Sequence, residues 1–373
     1  MKNTLCLTLL LFFLFSCNQN KKSPTLNTLP ASNDTVAEIT LLFVGDVMQH
    51  KPQVRAAKTE TGYNYKECFQ HIQKELNQAD LAIANLETTL GGKPFKGYPL
   101  FSSPDELAFD LQKTGFNVFQ LANNHILDRG KKGLNRTLHL LDSLQVYHTG
   151  AFSSEEDRMK RNPLFIEKKG FKLAFLNYTY GTNGLTITAP NIVNYIDKKV
   201  MEQDIHKAKQ NNPDAIIALL HWGEEYHQRP SKSQKELAEW LINQGVHHII
   251  GSHPHVIQPL EIISDSQTKE KKTIAYSLGN FISNMSRPHT DGGMMLRLTL
   301  AKDSTTYLKS YEYNLVWTGR PIITNKQNYI VYPTTHSEFE LNKQSSELRN
   351  LFLANTRNLL NKYNKGAIEY FIE

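Results

Sequence analysis

At 373 residues, with 40% apolar and 21% charged positions, the chain has room for one large or two modest globular domains, and bulk composition excludes little beyond that. The formal net charge of +6 comes without an arginine-rich run or interleaved aromatics, which argues against a nucleic-acid partner; the charge fits acidic substrates or envelope polymers and, equally, plain solubility.

In chain order, the first element is an almost wholly apolar stretch from Leu5 to Phe15 that ends in Leu14-Phe15-Ser16-Cys17. A dozen apolar residues are too few to span a bilayer, and their position is that of a secretory signal. The Leu-Phe-Ser-Cys ending resembles a bacterial lipobox. That resemblance implies a lipoprotein signal peptide over 1–16, a lipidated Cys17 holding the chain to a membrane, and a place in the bacterial cell envelope outside the cytoplasm. Residues 17–37 are rich in Asn, Ser, Thr, Pro and Lys and read as a flexible tether with a reach of roughly 25 Å. Cys6 departs with the signal and Cys17 takes the lipid, leaving Cys68 alone. No intrachain disulfide and no cysteine-rich structural zinc site is therefore expected.

From residue 38 onward, apolar runs alternate with helical periodicity, the pattern of an α/β body. The runs are ITLLFVGD, LAIANLE, FNVFQLANNH, AIIALLHWG and HHIIGSHPH. Helices are predicted near 66–76, 104–115, 133–144, 200–210 and 232–245, two of them ending at Gly115 and Gly245. A hairpin is predicted over 164–179, turning at Lys169-Gly170. After His255 only strands follow, which predicts a second sheet packed on the first. The domain is expected over 38–320, with a C-terminal extension over 321–373 ending in a packing helix.

Each of the five apolar runs closes on metal-type ligands: Asp46, Glu87, Asn124 with His125, His221, and His253 with His255. Continuous apolar runs read as buried parallel strands, and such sheets gather their chemistry beyond the strands' carboxyl ends. Asp, Glu, Asn and His hold hard or borderline divalent cations, so one shared centre is expected, with one or two ions of the Mn, Fe or Zn kind. In the HPH triplet, Pro254 biases His253 toward extended backbone, which would place both imidazoles on one side.

The motifs GDVM (45–48), NLET (85–88), ANNHILDRG (122–130), LHWGEEY (220–226), GSHPHVIQPLE (251–261) and YSLGNFI (276–282) resemble the CapA family of capsule (poly-γ-glutamate) synthesis proteins, of the calcineurin-like metallophosphoesterase superfamily. The resemblance implies a four-layer αββα sandwich. It also implies metal roles for Asp46, Glu87, Asn124, His221, His253 and His255, and a substrate-facing, proton-donating role for His125. The superfamily carries a histidine two residues after the first aspartate; here that position is Met48, and His50 is the nearby alternative. Asp128 with Arg129 is expected to brace the Asn-His loop and Asn280 to cap a turn, while Glu224 and Glu225 either orient ligands or contact substrate, or are merely solvated.

The function so implied is a membrane-anchored, metal-dependent hydrolase acting in biosynthesis, attachment or trimming of an anionic capsule-type polymer. The alternatives are a phosphoesterase acting on a small envelope phosphoester, and a non-catalytic metal-binding scaffold of a polymer synthesis and export complex.

Overall fold

The computed structural model describes residues 36–264 and 270–373, so the signal-peptide and Cys17 readings, and nearly all of the tether, lie outside the described residues. Val36–Glu373 forms one unit. Among the described residues no helix is long and apolar enough to cross a membrane.

Two sheets make the centre. In the first, the order is Ile330–Pro333, Thr306–Gly319, Gly292–Lys302, Ala37–Val47, Leu81–Leu86, Val118–Gln120 and Tyr147–Thr149. The last four are parallel and the first three add antiparallel. In the second sheet the order is Leu260–Ser264, Lys271–Ala275, His248–Ser252, Ala215–His221, Phe171–Thr179 and Leu164–Lys168, with the four inner strands parallel.

Side-chain alternation sorts these strands into layers. Along Ala37–Val47, Ile39, Leu41 and Phe43 pack against Leu173, Phe175, Ile217 and Leu219 of the second sheet. Their neighbours Leu42 and Val44 face the helices Asp105–Thr114 and Gly130–Ser143, through Leu107, Leu111, Leu134 and Leu138. On the other side, Leu176, Ile216, Ala218 and Leu220 pack against Met201, Ile205, Leu237 and Leu241 of the helices Lys198–Gln210 and Lys232–Asn243. The result is a four-layer αββα sandwich, in which each fully buried Leu, Ile or Phe contributes about 1.5–3 kcal/mol.

The strands divide between the sheets differently from the sequence expectation. The runs ending at His221 and Ser252 build the second sheet, whereas Gly292–Lys302 and Thr306–Gly319 extend the first. Strands buried on both faces carry no alternation that marks which sheet they join, which is why the pattern did not separate them. The predicted 66–76 helix is a 3-10 turn, Lys66–Phe69, followed by the helix Gln73–Gln78. Between them Ile72 leaves helical geometry at φ −121°, while Phe69, Ile72 and Leu76 all remain buried.

Beyond residue 320, Ile330–Pro333 pairs with the Thr306–Gly319 strand, and the helix Lys343–Tyr363 sets Phe352, Leu353 and Leu360 into the intersheet core.

Candidate metal centre

The carboxyl ends of the parallel strands in both sheets deliver the ligand-type residues to one place. Asp46 stands near the end of its strand and Glu87 just past the next, both with no exposed surface. Asp46 can occupy that spot because Gly45 lacks a side chain: a Cβ there would meet the Gly279 carbonyl oxygen at 1.9 Å. That close approach lets Asn280–Ile282 pair with the strand and sets Asn280 opposite Asp46.

The second sheet brings the histidines. Ser252 Oγ, which donates to the Leu220 carbonyl at 3.3 Å, lies 3.0 Å from His221 Nδ1, and Asn85 Nδ2 lies 3.3 Å from the same nitrogen. His221 Nε2, the atom through which that residue would meet a shared ion, lies 3.0 Å from Asn124 Oδ1 and 3.7 Å from Glu87 Oε1. His255 Nδ1 lies 3.0 Å from Asp46 Oδ2 and 3.1 Å from Asn280 Oδ1, both acceptors, so it carries the proton. Its Nε2 faces Glu87 Oε1 at 3.8 Å. His253 completes the group: donor atoms of Glu87, His221 and His253 lie within 4.8 Å of one another, as do those of Asp46, Glu87 and His255.

His253 and His255 reach the centre by a route opposite to the extended one expected. Their φ angles are +97° and +58°, the left-handed side that L residues rarely adopt. The Pro254 bias applies to ψ of His253 and does not hold φ in the extended range. Such strain persists only where the surroundings over-determine it, as they do at functional sites.

Electrostatics favour a cation here. Burial, then the neighbouring Asp46, pushes the Glu87 carboxyl well above the usual carboxylate range. Burial, then the adjacent imidazoles, holds His221 well below its ordinary value and His253 at about 3. The imidazoles are therefore neutral and offer lone pairs at neutral pH. Glu87 Oε1 and His253 Nδ1 are buried without a hydrogen-bond partner. Oxygen and imidazole nitrogen atoms converge in a buried space, and a divalent ion would satisfy them together. The chain's Asp46, Glu87, Asn124, His221, His253 and His255 fit such an ion, with its identity open among Mn, Fe and Zn.

His125 stands beside this group. Its Nδ1 donates to Asp128 Oδ2 at 2.8 Å, and the same oxygen accepts from Phe101 N at 2.6 Å. Asp128 is thus the orienting partner of His125 and does not pair with Arg129, whose guanidinium donates to the Pro94 carbonyl at 2.8 Å. With Nδ1 tied down, His125 presents Nε2.

Asn85, which the sequence reading did not single out, joins the site together with Asn280 and Glu225. Asn85 donates from Nδ2 to Asp46 Oδ1 at 2.8 Å and Glu87 Oε2 at 3.3 Å. It lies two positions before Glu87 on one strand, the spacing that puts residues on the same side, and this was the signal available. Asn280 orients His255 instead of capping a turn. Glu225, though exposed, places a carboxylate oxygen within 4.8 Å of His253 and His255 donor atoms.

Met48 is buried, and its amide donates to the Ile282 carbonyl at 3.0 Å. His50 is engaged elsewhere: its Nδ1 lies 3.2 Å from Gln53 Oε1, and its backbone N donates to the same oxygen at 2.8 Å. It belongs to none of the converging donor groups among the described residues.

Over the second-sheet side, the Tyr180 ring lies tilted 4.5 Å from His253, and Asn183 Oδ1 accepts from Asn124 Nδ2 at 3.2 Å.

The chain is 27% identical over 298 residues, 77% of its length and 70% of the relative's, to capsule biosynthesis protein CapA of Bacillus anthracis. It is 26% identical over 303 residues to PGA biosynthesis protein CapA of Bacillus subtilis, covering 79% of this chain and 75% of that one. Among solved structures, it is similar to the calcineurin-like phosphoesterase YfkN of Bacillus subtilis at 14% identity and a TM-score of 0.45, covering 88% of this chain and 99% of that one. Residues 40–285 match the family model described as bacterial capsule synthesis protein PGA_cap, and with two thirds of its length so matched the chain belongs to that family.

Proposed function

We propose that the protein is a metal-dependent hydrolase of the cell envelope that cleaves γ-glutamyl amide bonds during attachment or trimming of a capsule polymer, held to a membrane through lipidated Cys17. The observation that carries this reading is the His125–Asp128 pair at 2.8 Å, buried beside an acceptor-lined centre. A structural centre has no need of a braced imidazole that supplies no ligand.

A bound divalent ion supplies Lewis acidity, polarising the attacked carbonyl and lowering the pKa of nearby water. The chain's own residues do the rest. Asn85 and Asn280 fix the ligand side chains, and Asp128 holds His125 with Nε2 toward the reacting bond. Water adds to the γ-carbonyl carbon, the C–N bond breaks, and the departing nitrogen takes a proton from His125 Nε2. His125 regains one proton per turnover from the attacking water, so atoms and charge balance. Amine departure without protonation is prohibitively slow, which gives His125 its task.

Met48, standing where the superfamily places a histidine, favours a second reading in which the centre only binds polymer within a synthesis complex. The deciding experiment loads the purified protein separately with Mn²⁺, Fe²⁺ and Zn²⁺ and offers γ-glutamyl oligomers and phosphoesters. Amine release that needs metal and His125 supports the proposal. Phosphate release alone moves the assignment to a phosphoesterase, and no release with either substrate leaves the binding role.

A further inference from the structure

The rim of the centre on the His255 side carries a cation that hydrolysis itself does not use. Arg287 is exposed, in the segment between the strands Asn280–Ile282 and Gly292–Lys302, and its guanidinium carbon lies 4.5 Å from the centre of the Tyr226 ring. The Tyr226 ring is in turn 6.2 Å from the His255 ring. The guanidinium is therefore no farther from that imidazole than the two distances together.

This placement is built from the site outward. Tyr226 adopts φ +68° and its N–H donates to the Pro254 carbonyl at 2.8 Å, which ties the ring to the His253–His255 turn. Asn280, whose Oδ1 meets His255, donates from Nδ2 to the Thr290 carbonyl at 2.8 Å. Thr290 then donates from its hydroxyl and its backbone N to the Arg287 carbonyl, at 2.9 and 3.1 Å. One chain of bonds thus runs from a ligand imidazole through Asn280 and Thr290 to the arginine backbone.

Among the described residues the Arg287 guanidinium makes no ion pair. Glu225 lies beside the Tyr226 hydroxyl in the same rim. A guanidinium lying against an aromatic face keeps its planar N–H edge free, and that edge matches the two oxygens of a carboxylate.

We propose that Arg287, held over Tyr226, binds a carboxylate of the substrate on a unit next to the scissile bond. This rests on the γ-glutamyl reading above, because each unit of a γ-linked chain carries a free α-carboxylate. The ledge then recognises the polymer's repeating charge and sets which amide lies over the metal centre.

The test is equilibrium binding of a fluorescently tagged γ-glutamyl pentamer to the metal-loaded protein, with His125→Ala in every sample so that no oligomer is consumed. Arg287→Gln should weaken the pentamer about 10- to 100-fold, the scale of charge-assisted hydrogen bonds. Arg287→Lys should recover only part of the loss, since an ammonium lacks the planar fork. The pentamer with its α-carboxylates methylated should bind weakly and equally to all three proteins. Equal pentamer affinity for the Gln variant and its parent, equal losses for charged and methylated pentamers, or displacement of inorganic phosphate but not pentamer by the substitution would each overturn the proposal. Pentamer binding that depends on Arg287 in a protein whose His125-intact form releases no amine sinks the hydrolytic reading and retains the ledge. Amine release with Arg287-independent binding does the reverse.

Discussion

Glu87→Gln should shift the stability of metal-free and metal-loaded protein in opposite directions. In the metal-free protein the Glu87 carboxylate is fully buried beside Asp46, and its Oε1 has no hydrogen-bond partner. An unsatisfied buried acceptor costs about 1–3 kcal/mol. Glutamine keeps the shape and lets its oxygen accept from Asn85 Nδ2, as Glu87 Oε2 does at 3.3 Å. Its amide NH₂ turns toward the Nε2 atoms of His221 and His255, now 3.7 and 3.8 Å from Oε1. Metal-free protein should therefore gain about 1–2 kcal/mol at pH 7, a rise of about 1–3 °C in melting temperature. With metal, loss of a carboxylate donor should cost about 100-fold in affinity, removing about 2.7 kcal/mol of metal-induced stabilisation.

The pH dependence adds a second signature. Because burial, then Asp46, holds the folded Glu87 carboxyl well above its ordinary value of 4.5, the folded protein keeps, between pH 4.5 and that raised value, a proton that the unfolded chain has released. That contribution is complete below pH 4.5 and is lost as pH rises toward the raised value, so Glu87→Gln should flatten the decline in this window. Calorimetry after chelation and after titration with Mn²⁺ or Zn²⁺ measures both effects. A variant that is less stable without metal and keeps the wild-type metal-induced shift would refute the reasoning.

Four other outcomes are expected. His125→Ala should reduce turnover by about 10²- to 10⁴-fold with metal content intact, and Asp128→Asn should reduce it less, checked by paired kinetics and metal analysis. His253→Ala should abolish metal retention; because burial holds this imidazole at about 3, metal-free wild type should lose stability as pH falls from 6.5 toward 3, and the variant should show less of that loss in acid melts. Gly45→Ala forces a Cβ to within 1.9 Å of the Gly279 carbonyl oxygen, so urea unfolding should report a loss of more than about 3 kcal/mol or the protein should fail to fold. Cys17→Ala should release the protein from membranes in detergent partitioning if the lipid is its anchor.

Much of the architecture was legible because strong periodicity needs no tertiary information. The runs around Leu41, Ile83, Ile217 and Ile249 all form strands, and the chain leaves its helices at Gly115 and Gly245, where φ is +128° and +89°. Asp46, Glu87, His221, His253 and His255 could be suspected from sequence because each closes an apolar run. What stayed hidden depended on contacts between distant segments. Asn280 reads as a turn residue until its strand is laid parallel to the one bearing Asp46, and that pairing turns on a glycine at 45 meeting a carbonyl at 279. Asp128 sits beside Arg129 in sequence, but the loop turns its carboxylate inward to His125 and Phe101. The left-handed backbone at His253 and His255 was hidden because neither is glycine, and histidine, though more tolerant of positive φ than most residues, adopts it only where its surroundings demand it.

The ligand set is drawn equally from two sheets packed on one another through an apolar layer: Asp46, Glu87 and Asn124 follow strands of the first, and His221, His253 and His255 those of the second. An ion held by both acts as a clasp across the seam of the sandwich. Fraying of either sheet's carboxyl edge then requires breaking coordination to the other, so amide exchange near Leu86 and near Ser252 should slow together on metal binding. The spacing of the clasp is fixed by the apolar layer behind it. Replacing Phe43, Leu219 or Ile250 with smaller residues should alter which ion the protein prefers, although none of them touches it.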